Sequence, residues 1–421
     1  MPDHEERKGA QYERRAVFVV KCSRGPVIAV FLIGLLLTSC RRDSTGEDPR
    51  GEDPSRPAGW IEKAPEEVGL DAAPLANLRR RLHDTPSENV HSVLIVKGEA
   101  LVFEEYMSGR DDNWGDDLRW IRFERDTLHD LRSSTKSVVG ALMGIAINDG
   151  AISSVDASMV DLFPKRAIPD AGRKRPIQLR HMLSMSAGLE WNETITYANP
   201  ENSEIRMVVS GDPISYALAQ KPISPAGQIF NYNSGLTELL ASAVTEATGI
   251  STEEFARNRL FKPLGITQYE WRKHSNGLPS AASGLRLRPY DLAKFAYLYM
   301  HDGRWHGQQI VPEWWVHESL QSHVVAHRVF GSGADVGFGY GYQWWIPKFE
   351  AQGKPVVAAM TWGNGGQCAF VFPQLDLIVV LTAGNYNKFD KNALLLPHRL
   401  VAEYVLPAAG VRGATISVNF E

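Results

Sequence analysis

Ser133-Ser134-Thr135-Lys136, at the head of the run VVGALMGIAINDG, is the spacing in this chain best suited to chemistry. Positions i and i+3 share one helix face, so the Ser133 hydroxyl and the Lys136 amine can meet. A serine hydroxyl is a weak nucleophile until a base takes its proton. A lysine stripped of water near another cation can be neutral enough to be that base. Amides at a helix N-terminus also face the point where an oxyanion would form. Val138, Val139, Leu142, Ile145 and Ile147 make the following run apolar on nearly every side, which predicts a buried helix in which a lysine is costly unless paired or used. The plain alternative is a serine helix cap, and S-x-x-K arises by chance about once in a chain of this length.

Two further segments bear on the same chemistry. Phe230-Asn231-Tyr232-Asn233-Ser234-Gly235 precedes LTELLASAVTEATG, whose Leu236, Leu239, Leu240, Ala243, Val244 and Ala247 fall on one face. Tyr232 therefore sits on the loop before a buried helix. From there a phenol could relay a proton between serine and leaving group, although a packed aromatic is the commoner reason for such a residue. Thr361-Trp362-Gly363-Asn364-Gly365-Gly366-Gln367 leads into the strand CAFVFP. Glycines at a strand mouth let a backbone amide approach a ligand and complete an oxyanion hole; a bulge or tight turn is the alternative.

The elements that must position these residues are strands at both ends of the chain with helices between. Residues 92–96 and 101–106 read as a hairpin over a Gly-containing turn, and 130–270 as a long helical block. Residues 340–345, 356–362, 368–372 and 377–382 read as strands, the last two joined by Pro373-Gln374-Leu375-Asp376. This order predicts an α/β (α+β) fold. One antiparallel sheet is built from both termini and flanked by helices, with a helical insertion.

The whole chain has 421 residues, a formal charge of −4, 43% hydrophobic and 22% charged residues, an ordinary globular balance. That excludes a collagen-like, wholly disordered or polytopic membrane protein, and the missing basic excess argues against nucleic acid as a partner. Arg7, Lys8, Arg14, Arg15, Lys21 and Arg24 precede an apolar run over 26–37, too short for a comfortable membrane span. The ending Leu37-Thr38-Ser39-Cys40 resembles a bacterial lipobox. That resemblance implies a signal peptide over 1–39, a lipid on Cys40 and an exported protein held in the cell envelope. With no aspartate after Cys40, its place is the periplasmic side of the outer membrane where a cell has two membranes. Residues 40–58, polar and rich in Pro and Gly, read as a disordered tether. The folded domain is expected over 59–405, with a tail at 406–421. Of three cysteines, Cys22 falls in the leader and Cys40 takes the lipid, which leaves Cys368 without a partner in the chain.

Together these segments resemble the serine β-lactamase and penicillin-binding protein superfamily. More closely they are similar to its class C-like branch of esterases and peptidases, including 6-aminohexanoate-dimer hydrolases. The resemblance spans about 60–405 and includes HMLSMSAGLEWNE (181–193), SGLRLRPYDLAKFAYLY (283–299), FGYGYQWW (338–345) and GGQCAFVFPQLDLIVVLTAGNYN (365–387). It implies Ser133 as nucleophile, Lys136 as base and Tyr232 as proton relay, with no metal or organic cofactor and a small-molecule ester or amide as substrate. Two departures stand out. The class C Tyr-x-Asn reads Tyr232-Asn233-Ser234 here, as on the aminohexanoate-oligomer hydrolase and esterase side, with Ser234 supporting the network. The Lys-Thr-Gly motif is absent; Thr361-Trp362-Gly363 fills its place in one register and Asn364-Gly365-Gly366 in another. The first register is preferred and makes the amides of Ser133 and Asn364 the oxyanion donors. Either register removes the strand lysine that would pair with an antibiotic or peptide carboxylate.

Competing readings are a β-lactamase or D-Ala-D-Ala peptidase of the cell envelope, and an envelope ligand-binding module without turnover. A zinc enzyme is disfavoured, because His323 and His327 lack the glutamate of H-E-x-x-H and an evident third ligand; a solvated helical face or loop suits them better. An α/β-hydrolase is disfavoured by the lack of a convincing G-x-S-x-G elbow. The aromatic residues Trp191, Trp344 and Trp345 are candidates to line an apolar cleft.

Overall fold

The computed structural model describes residues 59–327, 334–416 and 418–420. The expected signal peptide, Cys40 and the tether to 58 lie outside the described residues. The N-terminal part supplies β1 (Ile61–Glu62), helix α1 (Ala72–Asp84), β2 (Val90–Lys97), β3 (Ala100–Tyr106), the hairpin β4 (Ser108–Asn113) and β5 (Asp116–Arg122), and the short β6 (His129–Asp130). The middle supplies α2 (Thr135–Asn148), α3 (Ser234–Thr248), β7 (Leu285–Leu287) and α4 (Pro289–Met300), with shorter helices between. The C-terminal part supplies β8 (Val324–Ala326), β9 (Phe338–Tyr340), β10 (Trp345–Ile346), β11 (Ala359–Gly363), β12 (Gln367–Phe372) and β13 (Leu377–Ala383).

The main sheet has nine strands in the order β1-β3-β2-β13-β12-β11-β10-β9-β8. The two chain halves meet at its centre, where β2 and β13 pair antiparallel from Leu377 opposite Lys97 to Thr382 opposite Ser92. The Ser92 and Thr382 hydroxyls bond at 2.7 Å, which gives each buried oxygen a partner on a strand with no solvent face. Every residue of β12 and β13 is buried, so these strands read as continuous apolar runs and not as alternating ones.

The sheet from both termini and the helical insertion agree with the sequence reading, with three corrections. The sheet is mixed, because β1 runs parallel to β3. Residues 340–345 form no single strand: the chain reverses between β9 and β10, with Gln343 at φ 63° and a Cβ on Gly341 falling 2.0 Å from the Ser319 carbonyl oxygen. Residues 356–362 split likewise, since Lys354–Val357 belongs to a separate small sheet with Lys348–Ala351. His323 and His327 flank the edge strand β8 and lie on no helix; His327 Nδ1 is 3.0 Å from Asp335. The β4–β5 hairpin has no counterpart in the sequence reading. Of the segment read as a tail, Leu406 and Ala408 are buried in a helical turn, and Thr415–Ile416 pairs with Lys348–Ala351.

Helix α2 is buried along nearly its whole length, and its glycines set how closely its neighbours approach. A Cβ on Gly144 would fall 2.2 Å from the Trp315 ring, itself fully buried. Gly144→Ala is therefore expected to lower stability by about 1–3 kcal/mol through overpacking. Urea denaturation of Gly144→Ala, Trp315→Phe and the double variant checks the cause: relief of the clash makes the double loss smaller than the sum of the singles.

Candidate active site

Ser133 lies in a 3-10 turn, Arg132–Ser134, between β6 and α2. Arg132 takes φ 48°, a left-handed conformation that costs a residue with a side chain about 1–3 kcal/mol. Neighbouring groups hold it there. Leu131 N donates to Leu285 O at 2.9 Å, Ser134 Oγ to Gln367 O at 2.9 Å, and Leu285 N to Thr135 Oγ1 at 3.2 Å. The Arg132 guanidinium pairs with Asp112 at 3.0 Å and Asp130 at 3.3 Å, and sits 4.4 Å from each of the Trp114 and Tyr386 rings. The turn bearing Ser133 is thus fixed from β7, from β12 and from the β4–β5 hairpin.

Lys136 Nζ lies 3.0 Å from Ser133 Oγ and donates to Ala282 O at 2.9 Å. The side chain is 2% exposed and its ammonium sits 4.9 Å from the Tyr232 ring centre. Burial pushes its pKa down, toward the neutral amine a base requires, while Glu193, Glu204 and Glu238 pull it back up. Tyr232, on the loop before α3, is hydrogen-bonded to Ser133, and burial raises its phenol well above the ordinary value. Trp345 stacks on its ring with centroids 5.8 Å apart. Ser133, Lys136 and Tyr232, far apart in sequence, therefore meet at one point.

Ser234 reaches this cluster indirectly. Its N and Oγ donate to Glu193 at 2.9 and 2.8 Å, and Glu193 also accepts from Trp191 Nε1 at 2.7 Å and Tyr197 OH at 3.2 Å. Glu204 is buried in the same cluster, where Ser283 Oγ lies 3.4 Å from its carboxyl oxygen. Burial first, and then the Glu193 charge, push Glu204 up to about 8. One turn along α3 from Ser234, Glu238 accepts from Ala282 N at 3.0 Å and so helps fix the residue whose carbonyl holds Lys136. None of these three glutamates was a candidate from sequence: in a polar stretch such as 190–204, carboxylates read as solvated loop, and only the fold turns them inward.

At the other side of Ser133, β11 ends against the nucleophile turn. A Cβ on Gly363 would fall 2.2 Å from Leu131 O, so only glycine admits this approach. The turn that follows has Gly365 at φ 106° and Gly366 at φ 105°. Asn364 Nδ2 donates to Asn387 Oδ1 and Asn387 N to Asn364 Oδ1, both at 2.8 Å, which fixes the Asn364 side chain outward from the strand.

Ser133 and Asn364 open on a cavity of about 520 Å³ walled by Trp114, Tyr197, Tyr386 and Arg132, with Asp112 and Glu204 also at its lining. Of the aromatic residues expected at a cleft, Trp191 is spent on Glu193, and Trp344 and Trp345 are buried in the core. The aromatic wall comes from the β4–β5 hairpin (Trp114), from the segment 190–204 (Tyr197) and from the segment after β13 (Tyr386). Alternation with charged residues, as in Asp111-Asp112-Asn113-Trp114, gave no apolar pattern to find.

A sheet from both termini, a helical insertion and a Ser-x-x-Lys on the buried helix between them define the class of β-lactamase and penicillin-binding serine hydrolases. The beta-lactamase family profile matches residues 84–402, and the chain belongs to that family, as a hydrolase. It is 24% identical over 346 residues to a 6-aminohexanoate-dimer hydrolase of Paenarthrobacter ureafaciens, covering 78% of this chain and 79% of that one. It is 28% identical over 183 residues to a lovastatin esterase of Penicillium rubens, covering 38% and 42%. In fold it is similar to unliganded simvastatin synthase of Aspergillus terreus, with a TM-score of 0.59, 15% identity, and coverage of 81% of this chain and 100% of that one.

The raised Glu204 makes a measurable difference. Native Glu204 keeps a proton that the unfolded chain releases near the ordinary 4.5, so stability from this group is complete below that value and is lost as pH rises to about 8. Glu204→Gln, which removes the titrating carboxyl at similar size, is expected to flatten the fall in stability across that window. Denaturant midpoints of wild type and variant at several pH values check this; parallel curves would show that Glu204 is ionised in the native protein.

Proposed function

We propose that this hydrolase is a lipid-anchored enzyme that cleaves a neutral ester or amide through an acyl-enzyme on Ser133. The observation that carries the reading is the wholly buried Lys136 amine 3.0 Å from Ser133 Oγ. Lys136 takes the hydroxyl proton as Ser133 attacks the carbonyl carbon. The amides of Ser133 and Asn364 hold the oxyanion, and Tyr232 passes the proton to the leaving oxygen or nitrogen. Water then attacks the ester on Ser133 by the reverse route. Ser234 acts through Glu193, whose charge tempers the Lys136 amine. The reading needs no metal or cofactor. Two relatives support it by name, one for hydrolysis of an aminohexanoate dimer and one for a lovastatin ester.

A β-lactamase or D-Ala-D-Ala peptidase is the second reading, because Arg132 stands in the cavity wall beside the nucleophile. Its charge is already committed to Asp112 and Asp130, which leaves it poorly placed to receive a substrate carboxylate. Arg110 also lines the cavity but is exposed, and a solvated cation gives little of the roughly 1.5–3 kcal/mol of a desolvated charge-assisted hydrogen bond, so anionic substrates are disfavoured by about ten- to a hundredfold. The presence of Ser133, Lys136 and Tyr232 together speaks against a binding module without turnover.

Ser133→Ala is expected to lower turnover at least about 10³-fold with the fold intact, and to abolish labelling by a fluorophosphonate probe. Activity within tenfold of wild type would remove Ser133 from the mechanism. On one preparation, kcat/KM for a neutral short-chain ester or a linear amide should exceed that for a cephalosporin; the reverse order favours the β-lactamase reading.

Cys40→Ala is expected to move the protein from the membrane to the soluble fraction. Unchanged fractionation, or a mature chain beginning at Met1, would count against lipidation.

A further inference from the structure

Behind the cavity wall, three strands bring His91 from β2, Asp111 from β4 and His129 from β6 together. Both imidazoles are wholly buried and Asp111 is 5% exposed. One ligand atom from each residue lies within 4.8 Å of the other two. His91 Nδ1 is 2.8 Å from His129 Nε2. His129 Nδ1 is 3.0 Å from Asp130 O, which can only accept. Its proton is therefore on Nδ1, and Nε2 aims a lone pair at His91.

A simple hydrogen bond between the rings does not settle His91. With its proton on Nδ1, its Nε2 is a buried lone pair without a partner. With its proton on Nε2, two lone pairs face each other at 2.8 Å. A second proton on the ring is favoured by the Arg110 backbone but opposed more strongly by burial and by the adjacent His129. The carboxylate has the complementary deficit. Among the described residues no cation lies within ion-pair distance of Asp111, whose oxygen accepts from Tyr386 OH at 2.8 Å. The nearby arginines are occupied elsewhere, Arg132 by Asp112 and Asp130, and Arg286 by Asp130 and Glu270.

We propose that His91, His129 and Asp111 bind a divalent transition-metal ion of the zinc class. Imidazole and carboxylate donors suit zinc and cobalt better than magnesium or calcium. Metal–nitrogen bonds of about 2.0–2.1 Å at a tetrahedral angle place the two nitrogens ~3.4 Å apart, so the rings part by roughly half an ångström. Cavity water, reaching Asp111 at the lining, supplies a further ligand. The ion is a clamp and takes no part in the acyl chemistry. It joins β4, whose hairpin carries Trp114 against Arg132, to β6, which runs directly into the nucleophile turn.

The test uses full-length protein in detergent, stripped with chelator and titrated with Co²⁺. The expected result is saturation at one equivalent with visible d–d bands of a low-coordinate site, reversed by Zn²⁺ and unaffected by Mg²⁺. His91→Gln or Asp111→Asn should weaken binding at least tenfold. His317→Gln, which alters the exposed cluster of Asp302, Glu313 and His317, should leave the bands unchanged. Fluorophosphonate labelling of the metal-free variants checks that they fold. Wild type that shows no saturable cobalt spectrum overturns the proposal, whatever the variants do. So does a spectrum that His317→Gln removes and His91→Gln retains.

Discussion

The structure turns on keeping water away from one amine. Lys136 can serve as a base only if its neutral form is accessible, and in water its ammonium would dominate by several powers of ten. Burial supplies that shift, so the elements around it have to be apolar and closely packed. This accounts for a helix α2 that is buried on all sides, and for glycines where Trp315 and Gln343 press on it. It also accounts for the two chain ends meeting in a sheet whose central strands have no solvent face.

Burial alone would overshoot, since a wholly isolated amine gives up its partners as well as its charge. The Ala282 carbonyl and the Ser133 hydroxyl retain two contacts, and the glutamates return part of the lost stabilisation of the ammonium. Because burial and the neighbouring Glu193 raise Glu204 to about 8, that carboxyl gives Lys136 less than a full negative charge near neutral pH. Ser234 belongs to this balance. A longer amide at that position could reach toward substrate, whereas the serine spends both its N–H and its hydroxyl on Glu193. The Ser234 of Tyr232-Asn233-Ser234 thus contacts Lys136's surroundings only through Glu193.

What was legible in the sequence follows from whether a residue's role is local. Ser133 and Lys136 are one helical turn apart, Tyr232 sits at a helix start, and Gly363 to Gly366 mark a tight strand connection; each carries its geometry in its spacing. The sheet from both termini was likewise visible, because 368–372 and 377–382 are apolar runs joined by a turn. Glu193, Glu204 and Glu238 were not legible. Glu193 and Glu204 are polar in a polar setting, and Glu238 is a lone carboxylate between the leucines of α3 that reads as its solvated face; their burial comes from a fold that places α3 and the segment before it against α2. The reversal at 341–344 was hidden for the opposite reason: Tyr342 and Trp344 are strong strand formers, and the left-handed Gln343 overrides them.

The β4–β5 hairpin shows where specificity is free to vary. Most of β5 is exposed or half-buried, so the core does not hold it in place. It is held by Tyr386 on Asp111, by Arg132 on Asp112, and by the Arg132 guanidinium between the Trp114 and Tyr386 rings. The same arginine is the residue whose left-handed backbone delivers Ser133. Its guanidinium therefore couples the shape of the cavity wall to the position of the nucleophile. The Lys136 side of the site is thus held by the packed core, and the hairpin side by polar and aromatic contacts that converge on Arg132.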